Sequence, residues 1–146
     1  MPELKGALMF ETTSISLSEA TKARDAIVNA MTSADSPGAL AITDSNGIEV
    51  LCMRQNGAPA RMLGRARAKA YTAARLGIDT VVFRDDFVKA SSRSLGDWGD
   101  PKLTTLQGGL VIKSKTNHVI GGIAMSGNST MRDEALAGIG LQALEV

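Results

Sequence analysis

Histidine and cysteine are almost absent from this sequence, with His118 and Cys52 the only examples in 146 residues. A Cys/His zinc site needs about four such ligands, and a disulfide framework needs paired thiols, so a single chain can build neither. Aromatic side chains are as scarce, at 3%, which leaves too few flat faces for the base-stacking platforms of single-strand nucleic-acid binders. An excess of positive charge is lacking too. Sixteen Lys and Arg against fifteen Asp and Glu leave a formal charge of +1, far from the basic footprint of a domain dedicated to nucleic acid. Apolar runs extend only a few residues, whereas about 20 are needed to cross a bilayer, and no charged-then-apolar leader opens the chain. These absences predict a cytoplasmic, soluble protein with neither membrane nor nucleic acid as a partner.

What remains is the material of one packed domain. Hydrophobic residues at 44% and charged residues at 21% lie outside the disordered regime, and the length suits a single unit. Residues 1–15 carry Leu4, Leu8, Met9 and Phe10 without a sustained period and read as an N-terminal arm or short strand, leaving 16–146 as the domain. Ser16-Leu17-Ser18-Glu19 has the form of a capping box. The helix it opens carries Ala20, Ala23, Ile27, Ala30, Met31 and Ala34 on one stripe and is expected to run to about Ala34, where Asp35-Ser36-Pro37-Gly38 stops it.

Two apolar runs, Ala39 to Asp44 and Ile48 to Met53, flank Asn46-Gly47 and predict a tight hairpin. A long helix follows from about Ala60 to Leu76, ended by Gly77. Leu63, Ala66, Ala70, Ala73 and Ala74 form its inner face, whose small side chains imply close packing, while Arg61, Arg65, Lys69, Thr72 and Arg75 fall on the other side. Asp79 or Thr80 is placed to cap a shorter helix through Val81, Val82, Phe83, Phe87 and Val88 to about Ala90, although the β-branched Val81-Val82 pair also suits a strand. Leu103 to Leu106, Gly109 to Lys113 and His118 to Met125 read as strands, the last two joined by a hairpin turn at Ser114 to Asn117. A final helix starts at Thr130, with Asp133 and Glu134 in its first turn. Paired strands among helices make an α+β domain with an antiparallel sheet.

Several residues could carry chemistry. Gly108-Gly109 and Ser126-Gly127 let backbone N–H groups approach an anion, or else serve strand bends and turns. Lys69 could bind a carboxylate, act as a base, or belong to a solvated face. Arg54, at a strand end, could clamp a carboxylate or cap an exposed edge. His118, the one imidazole, is the obvious haem or metal ligand or neutral-pH proton acceptor, or else an exposed turn residue. Cys52 reads as a small buried hydrophobe, and Asp85-Asp86 as solvated charge.

In combination, these motifs resemble a known family. The stretch Ala39 to Arg54, the run Ala68-Lys69-Ala70-Tyr71-Thr72-Ala73-Ala74, the run Leu106 to Ile112, and Val119 to Gly127 with Asp133-Glu134 resemble, in that order, the GlcG/HbpS family. That family includes small haem-binding proteins, a protein of glycolate-utilisation operons, and the C-terminal domain of one class of corrinoid adenosyltransferase. The resemblance implies a profilin-like fold with a five-stranded antiparallel sheet, self-association into tetramers or octamers, and a haem or other small-molecule ligand. Lys69 and Thr72 match the family's Lys-Ala-x-Thr-Ala helix, Gly108 and Gly109 its Gly-Gly strand entry, and Ser126, Gly127 and Asp133 its Ser-Gly…Asp terminus. Arg54 matches an arginine before the Gly-Ala-Pro loop. Haem-binding members use a histidine near the N-terminal helices, whereas His118 here lies in a hairpin. The resulting expectation is a small-molecule-binding protein whose ligand, haem or an anionic metabolite, contacts Lys69, Gly109 and Ser126. The alternative is a catabolic enzyme with Lys69 or Asp133 as general base and backbone N–H groups stabilising an oxyanion.

Overall fold

The structure is a computed structural model that describes residues 8–146; Leu4 and the start of the expected arm lie outside the described residues. Among the described residues, four α-helices and four strands follow one another as α1 (Leu17–Ala30), β1 (Ala39–Asp44), β2 (Glu49–Arg54), α2 (Arg61–Leu76), α3 (Thr80–Val82), β3 (Gly109–Lys113), β4 (Val119–Ser126) and α4 (Thr130–Gln142). The α3 turn continues as a π-helical segment, Phe83–Lys89. The strands form one antiparallel sheet in the order β2-β1-β4-β3. The domain is therefore α+β, as expected.

Strand alternation divides the core in two. Leu40, Ile42, Ile123 and Met125 pack with Ile27 of α1 and Leu136 of α4. On the opposite face, Ala39, Ala41 and Ala124 pack with Met62, Ala66 and Ala70 of α2. Small residues on both sides bring the α2 backbone down onto the sheet. At Gly122 a Cβ would run into the Ala70 carbonyl oxygen, and at Gly109 into that of Lys69, so both strands need glycine where the helix crosses them.

Four strands replace the expected five, and the reason lies in side-chain competition for backbone donors. Leu103 to Leu106 does not pair: the Thr104 N–H donates to Thr72 Oγ1 (3.0 Å) and the Leu106 N–H to Thr104 Oγ1 (3.2 Å). The outer edge of β3 is also taken, because the Gly109 N–H donates to Thr80 Oγ1 (3.0 Å) and the Val111 N–H to Asp79 Oδ1 (2.9 Å). Asp79 and Thr80 thus cover a sheet edge instead of capping α3 as expected.

Other boundaries move for similar reasons. Helix α1 ends at Ala30, short of Ala34, because the Asp35 carboxylate accepts the Thr32 N–H (2.9 Å) while held by Arg132 of α4 (2.8 and 2.9 Å). Half of the capping box forms. Ser16 Oγ accepts the Glu19 N–H (3.1 Å), but the Glu19 carboxylate turns to Lys22 Nζ (2.7 Å) and the Glu145 N–H (3.0 Å). Ile15 is buried and donates its N–H to the Ile120 carbonyl (2.9 Å), fastening the start of the domain to β4. Both expected hairpin turns are present, with Gly47 at φ +82° and Asn117 at φ 66°.

Candidate functional site

Lys69 is among the largest fully buried side chains described, with 2% of its surface exposed. Its position explains why: residue 69 lies three after Ala66 and four before Ala73, inside the stripe that faces the sheet. The expectation that Lys69 and Thr72 share the solvent face with the arginines is therefore incorrect. Lys69 Nζ donates to the Met125 carbonyl oxygen at the end of β4, and Asp133 Oδ2 of α4 lies 3.7 Å away. Gly108, at φ +124°, leaves room for the amine, since a Cβ there would fall 2.9 Å from Nζ.

Asp133 is equally buried, at 2% exposure. Ser129 Oγ caps α4 by accepting the Arg132 N–H (3.2 Å). The turn before it points the Asn128 N–H at Asp133 Oδ1 (3.0 Å), and the Gly127 N–H supports the same carboxylate. Burial pushes the Asp133 carboxyl above the usual carboxylate range, against the pull of those N–H groups and of Lys69. Burial likewise pulls the Lys69 ammonium below its ordinary value, against the attraction of Asp133. Burial disfavours the charged form of each group while its partner favours it, so the protonation of one is coupled to that of the other.

Beside them lies a cavity of about 30 Å³, lined by Arg65, Lys69, Leu106, Ser126, Gly127, Asn128, Thr130 and Asp133. Ser126 Oγ is buried and has no hydrogen-bond partner. Buried hydroxyls are normally satisfied, so this one is an open donor and acceptor. Beside the cavity, Glu134 accepts from Gln107 Nε2 (3.3 Å), whose Oε1 accepts from Arg84 (3.4 Å); the second Glu134 oxygen is buried and unpartnered.

The cavity thus gathers Lys69, Ser126, Gly127 and Asp133 from the expected set, with Gly108 against the amine. It does not gather the rest. The Gly109 N–H, expected to hold a ligand, is spent on Thr80 Oγ1. Thr72 Oγ1 donates to the Ala68 carbonyl (2.8 Å) and anchors Thr104, and Arg54 fixes its own loop by donating to the Ala58 carbonyl (2.7 Å). His118 is exposed on the β3–β4 turn, its Nδ1 2.9 Å from Thr116 Oγ1. Cys52 is half-buried on β2, where burial pushes its thiol up. Arg65, Asn128 and Thr130 escaped the sequence reading, although Arg65 lies one helical turn before Lys69, on the same side of α2.

No imidazole, thiol or thioether lines the cavity, and its volume suits about one water molecule. These residues do not fit haem. Among the described residues no three His, Cys, Asp or Glu side chains converge as a metal site, and no helix is long and apolar enough to cross a membrane.

Comparison with known proteins places this architecture. HbpS superposes with a TM-score of 0.84 at 28% identity, covering 97% of this chain and 98% of its own. A double mutant of Streptomyces reticuli HbpS gives 0.83 at 26%, covering 97% and 94%. The PduOC:heme complex gives 0.81 at 24%, covering 92% and 97%. No curated protein sequence matches. The family model described as "Haem degrading protein HbpS-like" matches residues 15–142, and the chain belongs to that HbpS-like family.

Proposed function

We propose that this protein binds a small oxygenated metabolite, one of whose oxygens enters the cavity between Lys69, Ser126 and Asp133. The carrying observation is Ser126 Oγ, buried and unpartnered beside a buried ammonium. A ligand hydroxyl or carbonyl there satisfies the serine and uses a spare donor of Lys69, which has three N–H bonds and one hydrogen-bonded acceptor. Thermal-shift measurements with a panel of small hydroxy acids, oxo acids and amides test this on wild type and Ser126→Ala. At least one compound raises the melting temperature of the wild type and not of the variant. A panel that shifts both alike, or neither, refutes the assignment.

Haem is the ligand that membership in a family described as haem-degrading makes the first comparison. The geometry of the cavity opposes it. A Soret shift on adding haem that disappears in Ser126→Ala would overturn the small-metabolite reading in favour of haem.

The opposed displacements of Lys69 and Asp133 favour a second reading, an acid–base enzyme in which one of them takes a proton from the bound molecule. Its oxyanion donors differ from those expected from sequence. The N–H groups of Gly109 and Asn128 are hydrogen-bonded and that of Gly127 faces the Asp133 carboxylate, so Ser126 Oγ and Lys69 Nζ are the groups best placed for that task. Deuterium exchange into a bound hydroxy or oxo acid, lost in Asp133→Asn, would distinguish catalysis from binding.

A further inference from the structure

Adjoining the cavity, and sharing Arg65, Gly127 and Asn128 with it, is an open hollow of about 410 Å³. That volume falls within the range of small-molecule sites. Arg61 and Arg65 stand one turn apart on α2, so their guanidinium groups share one face. Both are exposed, and among the described residues neither is paired with a carboxylate. Arg67, two residues on, is by contrast taken up by Glu49. The hollow is therefore a place of uncompensated positive charge at the mouth of a cavity that already holds a carboxylate.

That asymmetry decides which end of a ligand goes where. A carboxylate driven into the cavity would meet Asp133 in a desolvated setting, where like charges repel strongly. The same carboxylate in the hollow meets two free guanidinium groups, which bind planar oxyanions through paired N–H donors. A neutral hydroxyl or carbonyl suits the cavity, because Ser126 Oγ and Lys69 Nζ can bond it without adding charge beside Asp133.

We propose that hollow and cavity form one bipartite site for a small molecule with an oxyanion at one end and a hydroxyl or carbonyl at the other. Arg61 and Arg65 hold the carboxylate or phosphate, and Ser126 and Lys69 hold the neutral oxygen. This assignment rests on the cavity being a ligand site and adds the orientation and charge of the ligand.

Calorimetric titration tests it with malate, which carries carboxylates and a hydroxyl, with succinate, which lacks the hydroxyl, and with glycerol 3-phosphate, which exchanges carboxylate for phosphate. Wild type, Ser126→Ala and the double variant Arg61→Ala/Arg65→Ala are compared. Malate or glycerol 3-phosphate binds the wild type, and the stronger of the two identifies the oxyanion. The double arginine variant, altered only at exposed positions, keeps its melting temperature and loses affinity by about tenfold or more, consistent with loss of a charge-assisted contact. Ser126→Ala weakens malate and leaves succinate unchanged. Undiminished binding in the arginine variant, with loss in Ser126→Ala, overturns the outer subsite and spares the cavity. Loss in the arginine variant with Ser126→Ala unaffected reduces the site to a surface anion patch and overturns both readings. No binding of any probe at millimolar concentration also overturns both.

Discussion

Replacing Lys69 by methionine isolates the buried pair around which the cavity is built. The substitution keeps an unbranched chain of similar length, removes the charge, and leaves two groups without their partner: Asp133 Oδ2, 3.7 Å from the lost ammonium, and the Met125 carbonyl oxygen. The two side chains are 2% and 3% exposed, so solvent cannot compensate either one. Removing one member of a buried pair costs about 3–5 kcal/mol. Asp133 recovers part of this by taking up a proton, which its environment already favours, so the expected loss near neutral pH is about 3 kcal/mol. For a chain of this size that corresponds to a fall in Tm of about 6–12 °C. The pH dependence gives a further check. In the variant the folded state holds the Asp133 proton to higher pH than the unfolded chain does. Its stability therefore rises as pH falls from about 7 toward the ordinary carboxylate value, and the deficit shrinks. The double variant Lys69→Met/Asp133→Asn removes both charges and recovers most of the loss. Urea unfolding followed by circular dichroism at about pH 7 and about pH 5 measures all of this. A Lys69→Met protein within about 1 kcal/mol of wild type, or a double variant no more stable than the single, would refute the interdependence of the pair.

Three further outcomes follow from the packing. Gly122→Ala places a methyl against the Ala70 carbonyl of α2, backbone that cannot move aside, and should lower stability by about 3 kcal/mol or prevent soluble expression; a melting curve like that of wild type would disprove the close approach of α2. The Arg132 guanidinium lowers the Asp35 carboxyl to about 2, so the clamp's contribution is complete above the ordinary aspartate value and is lost as pH falls through about 2. Asp35→Asn should flatten that acid limb in urea midpoints measured against pH, and an unchanged limb would show that the clamp contributes nothing. Ser126→Ala removes a desolvated hydroxyl that has no partner, so the variant should be as stable as wild type or gain about 1 kcal/mol. A loss of stability on thermal melting would mean that the hydroxyl has a structural partner.

Much of the fold was legible because its features are local. The Asn46-Gly47 hairpin, the Gly77 stop and the small face of α2 each depend on residues within a few positions of one another. The failures share another cause. Leu103 to Leu106 has the apolar character of a strand, but its N–H groups are claimed by Thr72 and Thr104, and Asp79 and Thr80 cover a strand edge about 30 residues away. Hydroxyls and carboxylates that bond backbone distant in sequence leave no trace in local periodicity. Lys69 is different, since its burial was readable from its spacing to Ala66 and Ala73. Its charge drew the reading toward the solvent face, although a lysine on an alanine stripe is itself a sign of a buried partner.

That lesson bears on how the site acquires its polarity. Lys69 and Asp133 come from elements separated by the whole of β3 and β4, and they meet because glycines at 109 and 122 let α2 sink onto the sheet. The same closeness limits the cavity to about 30 Å³. An α2 helix held farther away, with larger side chains beneath it, would open that volume and hydrate the ion pair. Water would then screen Asp133 from an incoming anion, and the case for placing the ligand's oxyanion outside, on Arg61 and Arg65, would weaken. The ligand class proposed here therefore depends on the alanines of α2 as much as on the polar residues that touch it. Enlarging the cavity by Leu106→Ala, which lines it without belonging to the glycine contacts, should admit bulkier neutral groups at the inner end while leaving the demand for an outer anion unchanged.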